Sequence, residues 1–200
     1  MKKVDFLKEG EINDWKIEHF EINDKQARMF NLQQLFSHQV DRSVTSGKYT
    51  KLVHKNRGVI MSDTPAEMND HAYFVEKAYG NVLINGLGLG VVLYNCVIKK
   101  EVNHVTVVEI DRDVIELVGS QYLAMFGNKI KIIHANALTY TFPREVKFNC
   151  VWHDIWDSID LDNWDEYKAL HKKYGKRCEF QYSWARDNLL RQKRNSKQMY

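Results

Sequence analysis

The chain has 200 residues and is 44% hydrophobic, enough for one domain with a sizeable core and short for two. With a net charge of +3 and no apolar run near the length that spans a bilayer, neither a membrane protein nor a strongly basic nucleic-acid binder is indicated. Met1-Lys2-Lys3-Val4-Asp5 runs into charged residues instead of a signal-peptide apolar core, so a cytoplasmic protein is expected.

In chain order, Trp15 to Ile22 reads as a strand, with Trp15, Ile17, Phe20 and Ile22 set among charges. Asn23 and Asp24 can cap a helix whose Met29, Leu32, Leu35, Phe36 and Val40 share one face, and that face should pack on something. Tyr49 to Val53 and Val59 to Met61 flank Lys55-Asn56-Arg57-Gly58, which predicts a hairpin. Thr64-Pro65-Ala66-Glu67 spells a helix start, with Thr64 as cap, Pro65 in the first turn and Glu67 completing a capping box. Gly80 stands where a left-handed C-terminal cap would close that helix.

From Asn81 to Asn85 a short aliphatic run enters Gly86-Leu87-Gly88-Leu89-Gly90, and Val92, Leu93, Cys96 and Val97 continue at helical spacing. This is strand, tight loop, helix. Such glycines let a backbone approach a ligand closely, although close packing of helix on sheet would explain them as well. Val105 to Ile110 is a buried strand by its β-branched content, followed by a helix that Asp111 can cap. Further strands are expected at Ile130 to Ile133, Asn149 to Ile155 and Cys178 to Ser183. Helices are expected from Asp162 or Asn163 to Gly175 and from Trp184 to the basic end of the chain. Strand alternating with helix implies a parallel sheet covered on both faces. The fold class is therefore α/β, a doubly wound, mostly parallel Rossmann-like sheet with a small N-terminal α/β extension.

In such a sheet the ligand crosses the carboxyl ends of the strands at the switch point. Glu109 ends the second strand of the series about twenty residues past the glycines, where a carboxylate accepts ribose hydroxyls in dinucleotide folds. Asp111 competes for that position, but a helix cap explains it better. Asn136 follows the third strand, and Asp154, Trp156 and Asp157 follow the fourth. Either carboxylate could serve a ligand or simply cap a helix. Cys96, Cys150 and Cys178 are far apart, odd in number and set in apolar patterns, which favours reduced core thiols; no metal site is expected.

Taken together, Val-Leu-Ile-Asn-Gly-Leu-Gly-Leu-Gly, Val-Thr-Val-Val-Glu-Ile-Asp-Arg-Asp-Val-Ile, His-Ala-Asn-Ala-Leu and Val-Trp-His-Asp-Ile-Trp-Asp resemble the class I S-adenosylmethionine-dependent methyltransferase fold, in particular its spermidine-synthase-like branch, over about residues 58 to 160. The resemblance implies S-adenosylmethionine as cofactor. Its aminoacid part would lie on Gly86, Gly88 and Gly90, and its ribose on Glu109. Asn136 stands where the family commonly has an acid facing the adenine, so it is either an adenine contact or an ordinary turn residue. Asp154 would touch cofactor or substrate, and Asp154 and Asp157 resemble the acids that handle an attacking amine. Met61 to His71 looks like the segment that faces the cleft in the same branch, which makes Asp70 and His71 candidate substrate contacts beside Trp156.

The expected organisation is an N-terminal extension over 1–60 and a Rossmann-like S-adenosylmethionine-binding domain over 61–200. The family's sheet closes with an antiparallel hairpin, and this sequence runs out first, so the sheet is expected to be C-terminally shortened. The leading functional expectation is a small-molecule methyltransferase in which Asp154 and Asp157 orient or deprotonate the acceptor. Alternatives are a polyamine aminopropyltransferase and a non-catalytic cofactor-fold module, with a homodimer able to cover an exposed sheet edge. Nucleic acid as a partner would rest only on Arg191 to Lys197, and a charge run of that length is ordinarily solvated.

Overall fold

The computed structural model describes residues 1–36, 43–158 and 160–198 and forms two sheets. The first is antiparallel, in the order β1 (Gly10–Ile12), β2 (Trp15–Ile22), β3 (Gly47–His54), β4 (Gly58–Ser62). Between β2 and β3 lies α1 (Asp24–Phe36). The second sheet is parallel throughout, in the order β7 (Ile130–His134), β6 (Val102–Glu109), β5 (Gly80–Asn85), β8 (Phe148–His153), β9 (Cys178–Ser183). The chain starts in the centre at β5, winds out to β7, then returns to the other side at β8. That reversal is the switch point of a doubly wound sheet.

Helices cover both faces of this sheet. One face carries α2 (Pro65–Lys77), α3 (Val91–Val97) and the run α4 (Arg112–Val114), a π-helical turn (Ile115–Gly119) and α5 (Ser120–Phe126). The other carries α6 (Trp164–Tyr174) and α7 (Arg186–Gln198). The strands sort their side chains with period two. Val82, Ile84, Val105, Val107, Cys150 and Trp152 belong to one core, and Leu83, Val108 and Val151 to the other. The first core continues without a break into the N-terminal sheet through Val4, Leu7, Trp15, Ile17 and Leu52. Just past β4, Asp63 fastens the N-terminal segment to β3, its buried carboxylate accepting from the amides of Val4 and Thr50. Among the described residues no helix is long and apolar enough to cross a membrane.

Several local expectations are corrected. The capping box forms at Asn23, whose side chain accepts from the Gln26 amide while Gln26 accepts from the Asn23 amide. Thr64 makes no side-chain cap; Glu67 instead accepts from the amide and hydroxyl of Ser62. Gly80 does have positive φ, but α2 has already ended at Lys77, and Gly80 opens β5, where a Cβ would meet the Asn149 side chain at 2.1 Å. The apolar stripe of α1 faces solvent, with Leu35 56% and Phe36 81% exposed. Val40, expected on the same stripe, lies outside the described residues.

Candidate active site

Asn85, Glu109 and His153 end β5, β6 and β8, and the loops that leave them line a cavity of about 650 Å³ at the switch point. Gly86, Gly88, Glu109 and Asp154 lie along the strand ends, while Asn136 to Leu138 and Ile155 to Ser158 form walls. The N-terminal sheet closes the cavity from above with Trp15, Leu52, Arg57, Ile60 and Met61, and α2 contributes Glu67 and His71. A polar layer lies beneath the strand ends on the α6 side. Asn85 donates to His153 Nδ1 (2.9 Å), which leaves the opposite nitrogen as donor to Gln181 (3.2 Å). Burial holds the His153 pKa down to about 3, so this imidazole stays neutral.

The three glycines differ in what they do. A Cβ on Gly86 would lie 1.9 Å from the Asp154 carbonyl oxygen, so only glycine lets the ends of β5 and β8 close together. Gly88, at φ +50°, has the Met61 thioether above it, and the Leu89 amide donates to that sulfur at 3.3 Å. Gly90 does not line the cavity; at φ +74° it makes room for the Tyr122 ring, whose hydroxyl donates to the Leu89 carbonyl.

Glu109 is buried, yet it reaches the cavity. Its carboxylate accepts from the amides of Leu87 (2.6 Å) and Asp111 (2.8 Å), an arrangement that ties the glycine loop to the end of β6. Burial raises its pKa and these amides pull it back. Each oxygen keeps a lone pair for a further donor. Asp111 caps α4 by accepting from the amides of Asp113 and Val114, and its other oxygen accepts from the Trp15 indole at 2.8 Å. Asn136 lines the cavity, but its side-chain oxygen accepts from the Leu138 amide at 2.8 Å, a turn-forming contact that leaves it one lone pair.

Asp154 follows β8 directly and is half-buried. Desolvation pushes its pKa up to about 7, and the charges of Glu67, Asp70 and Glu109 add to the rise. The Trp152 indole works against this rise by favouring the ionised form. His71 is 1% exposed, stands edge-on to Trp152, and finds no hydrogen-bond partner for either ring nitrogen. Burial lowers its pKa to about 4. Asp70 is not on the cavity wall, and its charge adds to the rise at Asp154.

Asp157 stands at the exposed mouth and pairs with Arg57 of the β3–β4 turn at 2.5 Å. The Arg57 guanidinium also lies 4.8 Å from the Trp15 ring centre. Asp111, Trp15, Arg57 and Asp157 thus form a chain of contacts across the mouth, joining both sheets. Trp156 lines the cavity but is otherwise engaged, stacked on Tyr167 at 3.7 Å and donating to Glu166 at 2.7 Å. Of the ten residues expected at the site, Gly90 and Asp70 fall off its wall, and Trp15, Arg57 and Met61 join it. Hairpin composition gives no sign that a turn arginine will reach an aspartate a hundred residues on.

No family model matches this chain, and no curated protein matches it in sequence. Among solved structures, the CcbJ methyltransferase from Streptomyces caelestis is 21% identical over 56% of this chain and 46% of its own, with a TM-score of 0.45. An S-adenosylmethionine-dependent methyltransferase from Clostridium acetobutylicum is 12% identical over 55% and 46%, at 0.42. A dimethyladenosine transferase from Plasmodium falciparum is 20% identical over 51% and 34%, at 0.39. The chain spans less than half the length of each of these structures. Such likenesses assign no role to any residue, and the strand order stands on the chain's own register.

Proposed function

We propose that the chain is an S-adenosylmethionine-dependent methyltransferase acting on a small molecule. The observation that carries this reading is that Gly86, Gly88, Glu109 and Asp154, from three separate strand ends, open onto one cavity at the switch point. The cavity's size suits a nucleoside cofactor with a small acceptor beside it. The residues fit that cofactor. Glu109 has lone pairs for ribose hydroxyls, and Val108, Ala137 and Leu138 offer apolar surface to a base. Met61 has to turn for this, since its sulfur covers the Leu89 amide above Gly88.

When bound, the cofactor supplies a methyl group made electrophilic by its sulfonium. The chain's part is to hold the acceptor in line, shed water and take a proton. Asp154 suits the proton transfer because its carboxyl titrates at about 7. Asp157, held by Arg57 at the mouth, suits orientation. Met61 also favours a second reading, aminopropyl transfer, because a cofactor without a carboxylate has no need of the Leu89 amide. Calorimetric titration tests the first reading. S-adenosylmethionine and its demethylated product should bind, and Glu109→Gln should weaken them by at least about tenfold, because its single oxygen cannot keep both the Leu87 and Asp111 amides and also accept from the ribose. No heat at millimolar ligand would overturn it, and preference for the decarboxylated cofactor would favour the second.

A further inference from the structure

The net charge of +3 averages over a segregated molecule. From Trp164 to Gln198, the stretch that holds α6, β9 and α7, ten Lys and Arg stand against four Asp and Glu, while the rest of the chain has 19 against 22. Three of the four acids are held by neutral donors. Glu166 accepts from the Trp156 indole at the cavity, Glu179 from the Tyr79 hydroxyl and the Asn149 amide, and Asp187 from the Tyr182 hydroxyl. Asp165 pairs with Lys168 at 2.6 Å. Lys172, Lys176, Arg191 and Arg194 are exposed, and among the described residues none of the four makes an ion pair.

The fold sets these cations side by side. Lys193 of α7 lies 3.9 Å over the ring of Trp164, the first residue of α6, and Lys168 and Lys193 together hold the Asp165 carboxyl below its ordinary range. Lys172 follows Lys168 by one turn of α6, Lys176 stands just past its end, and Arg191 and Arg194 are one turn apart on α7. The apolar sides of both helices face the core, with Tyr167, Leu170, Tyr174 and Leu189 buried and, among the described residues, no large apolar side chain of either helix exposed. That composition decides the partner. A helix that lies on a lipid surface inserts Trp, Phe or Leu, and a protein interface is held by apolar anchors. This face has neither to offer. A single small anion would meet one or two of the cations, whereas a phosphodiester backbone is a row of anions held by charge with no base contact required.

We propose that the α6–α7 face docks the phosphate backbone of a nucleic acid, with Lys172, Lys176, Arg191 and Arg194 as its contacts. A basic run at the end of a chain is ordinarily solvated; here it has a second helix beside it and few carboxylates to answer it. Asn163, Glu166 and Trp184, at the roots of the two helices, line the cavity, so the docking face begins at its rim. Inside, six carboxylates, Glu67, Glu109, Asp111, Asp154, Asp157 and Glu166, face Arg57 as the one Lys or Arg on the wall and repel phosphate. The strand therefore stays outside, and the acceptor remains the small molecule of the cavity.

The test is a titration of the intact chain into fluorescently labelled oligouridylate of about 20 nucleotides, followed by anisotropy, and its outcome is independent of what the cavity binds. Affinity should fall about 50-fold between roughly 50 and 200 mM salt, the dependence that about four phosphate contacts give on a single strand. Lys172→Gln with Arg194→Gln should reduce that fall to about sevenfold. Lys25→Gln with Lys131→Gln removes the same charge from exposed positions on α1 and β7 and should leave the 50-fold dependence in place. A control pair that acts as strongly as the first, or no binding at about 100 μM chain in the lower salt, overturns the proposal. Polyglutamate of equal charge and phosphatidylserine vesicles are titrated beside the RNA. Equal or tighter binding to either also overturns it, and makes the partner an acidic protein or a membrane.

Discussion

Asp154 and His71 are pushed by the same burial toward neutrality, and this gives them opposite effects on stability. The Asp154 carboxyl holds its proton in the fold up to about pH 7, against an ordinary value of 3.8, so the unfolded chain is favoured increasingly as pH rises through that window. Asp154→Asn should therefore stabilise the protein by an amount that is absent near pH 4, grows to about pH 7 and is constant above. Thermal melts should show a gain of at least about 1 kcal/mol at pH 8, roughly 2–4 °C. An equal gain at pH 4 would contradict the burial account. For His71 the unfolded chain binds the extra proton, so its contribution to stability is complete above its ordinary 6.5 and is lost as pH falls to about 4. Glu109 and Asp154 were singled out by their places at strand ends and His71 by the family resemblance, and all three line one cavity. Their environments were not legible in the sequence. Whether a carboxylate is tied to amides, as Glu109 is, or left facing a cavity, as Asp154 is, depends on loop paths that no local pattern encodes.

At the scale of elements, the β3–β4 hairpin does more than lead into the parallel sheet. It carries Arg57 and Met61 to opposite ends of the site, one on the Asp157 carboxylate and one on the Leu89 amide. The Arg57–Asp157 pair is 41% and 48% exposed at its side chains, so Arg57→Ala should cost less than about 1 kcal/mol in urea unfolding. The same change should speed release of S-adenosylhomocysteine in stopped-flow measurements, because the mouth loses its cross-link. Unchanged release would remove the hairpin's role as a clasp. Met61→Ala should tighten binding of that ligand severalfold, on the order of 1 kcal/mol, by freeing the Leu89 amide. Sequence patterns found both strands of this hairpin because apolar residues flank an Asn-Arg-Gly turn, but which surface the turn would lean on is a tertiary fact. The capping boxes teach a similar lesson. Asn23 with Gln26 and Thr64 with Glu67 are equivalent as spacing, and the buried Ser62 hydroxyl diverts Glu67 in the second.

Over the whole molecule, the alternation of strands and helices prescribed the parallel sheet, and the β7-β6-β5-β8-β9 order places the glycine loop at its reversal. Periodicity failed for α1, where Leu32, Leu35 and Phe36 form a genuine stripe that no other described element covers. An amphipathic pattern states that a helix has an apolar face and not that the same chain buries it. Phe36→Ser should accordingly change unfolding free energy by less than about 0.5 kcal/mol, and a larger loss would mean that the face is buried in solution. The central claim, a cofactor at the switch point, is tested most directly by a crystal structure of the chain with S-adenosylhomocysteine. Ribose hydroxyls should lie on Glu109, the adenine between Val108 and the Ala137–Leu138 wall, and Met61 should be turned away from the Leu89 amide. Soaked crystals showing Met61 still on that amide and no nucleoside beside Glu109 would contradict it.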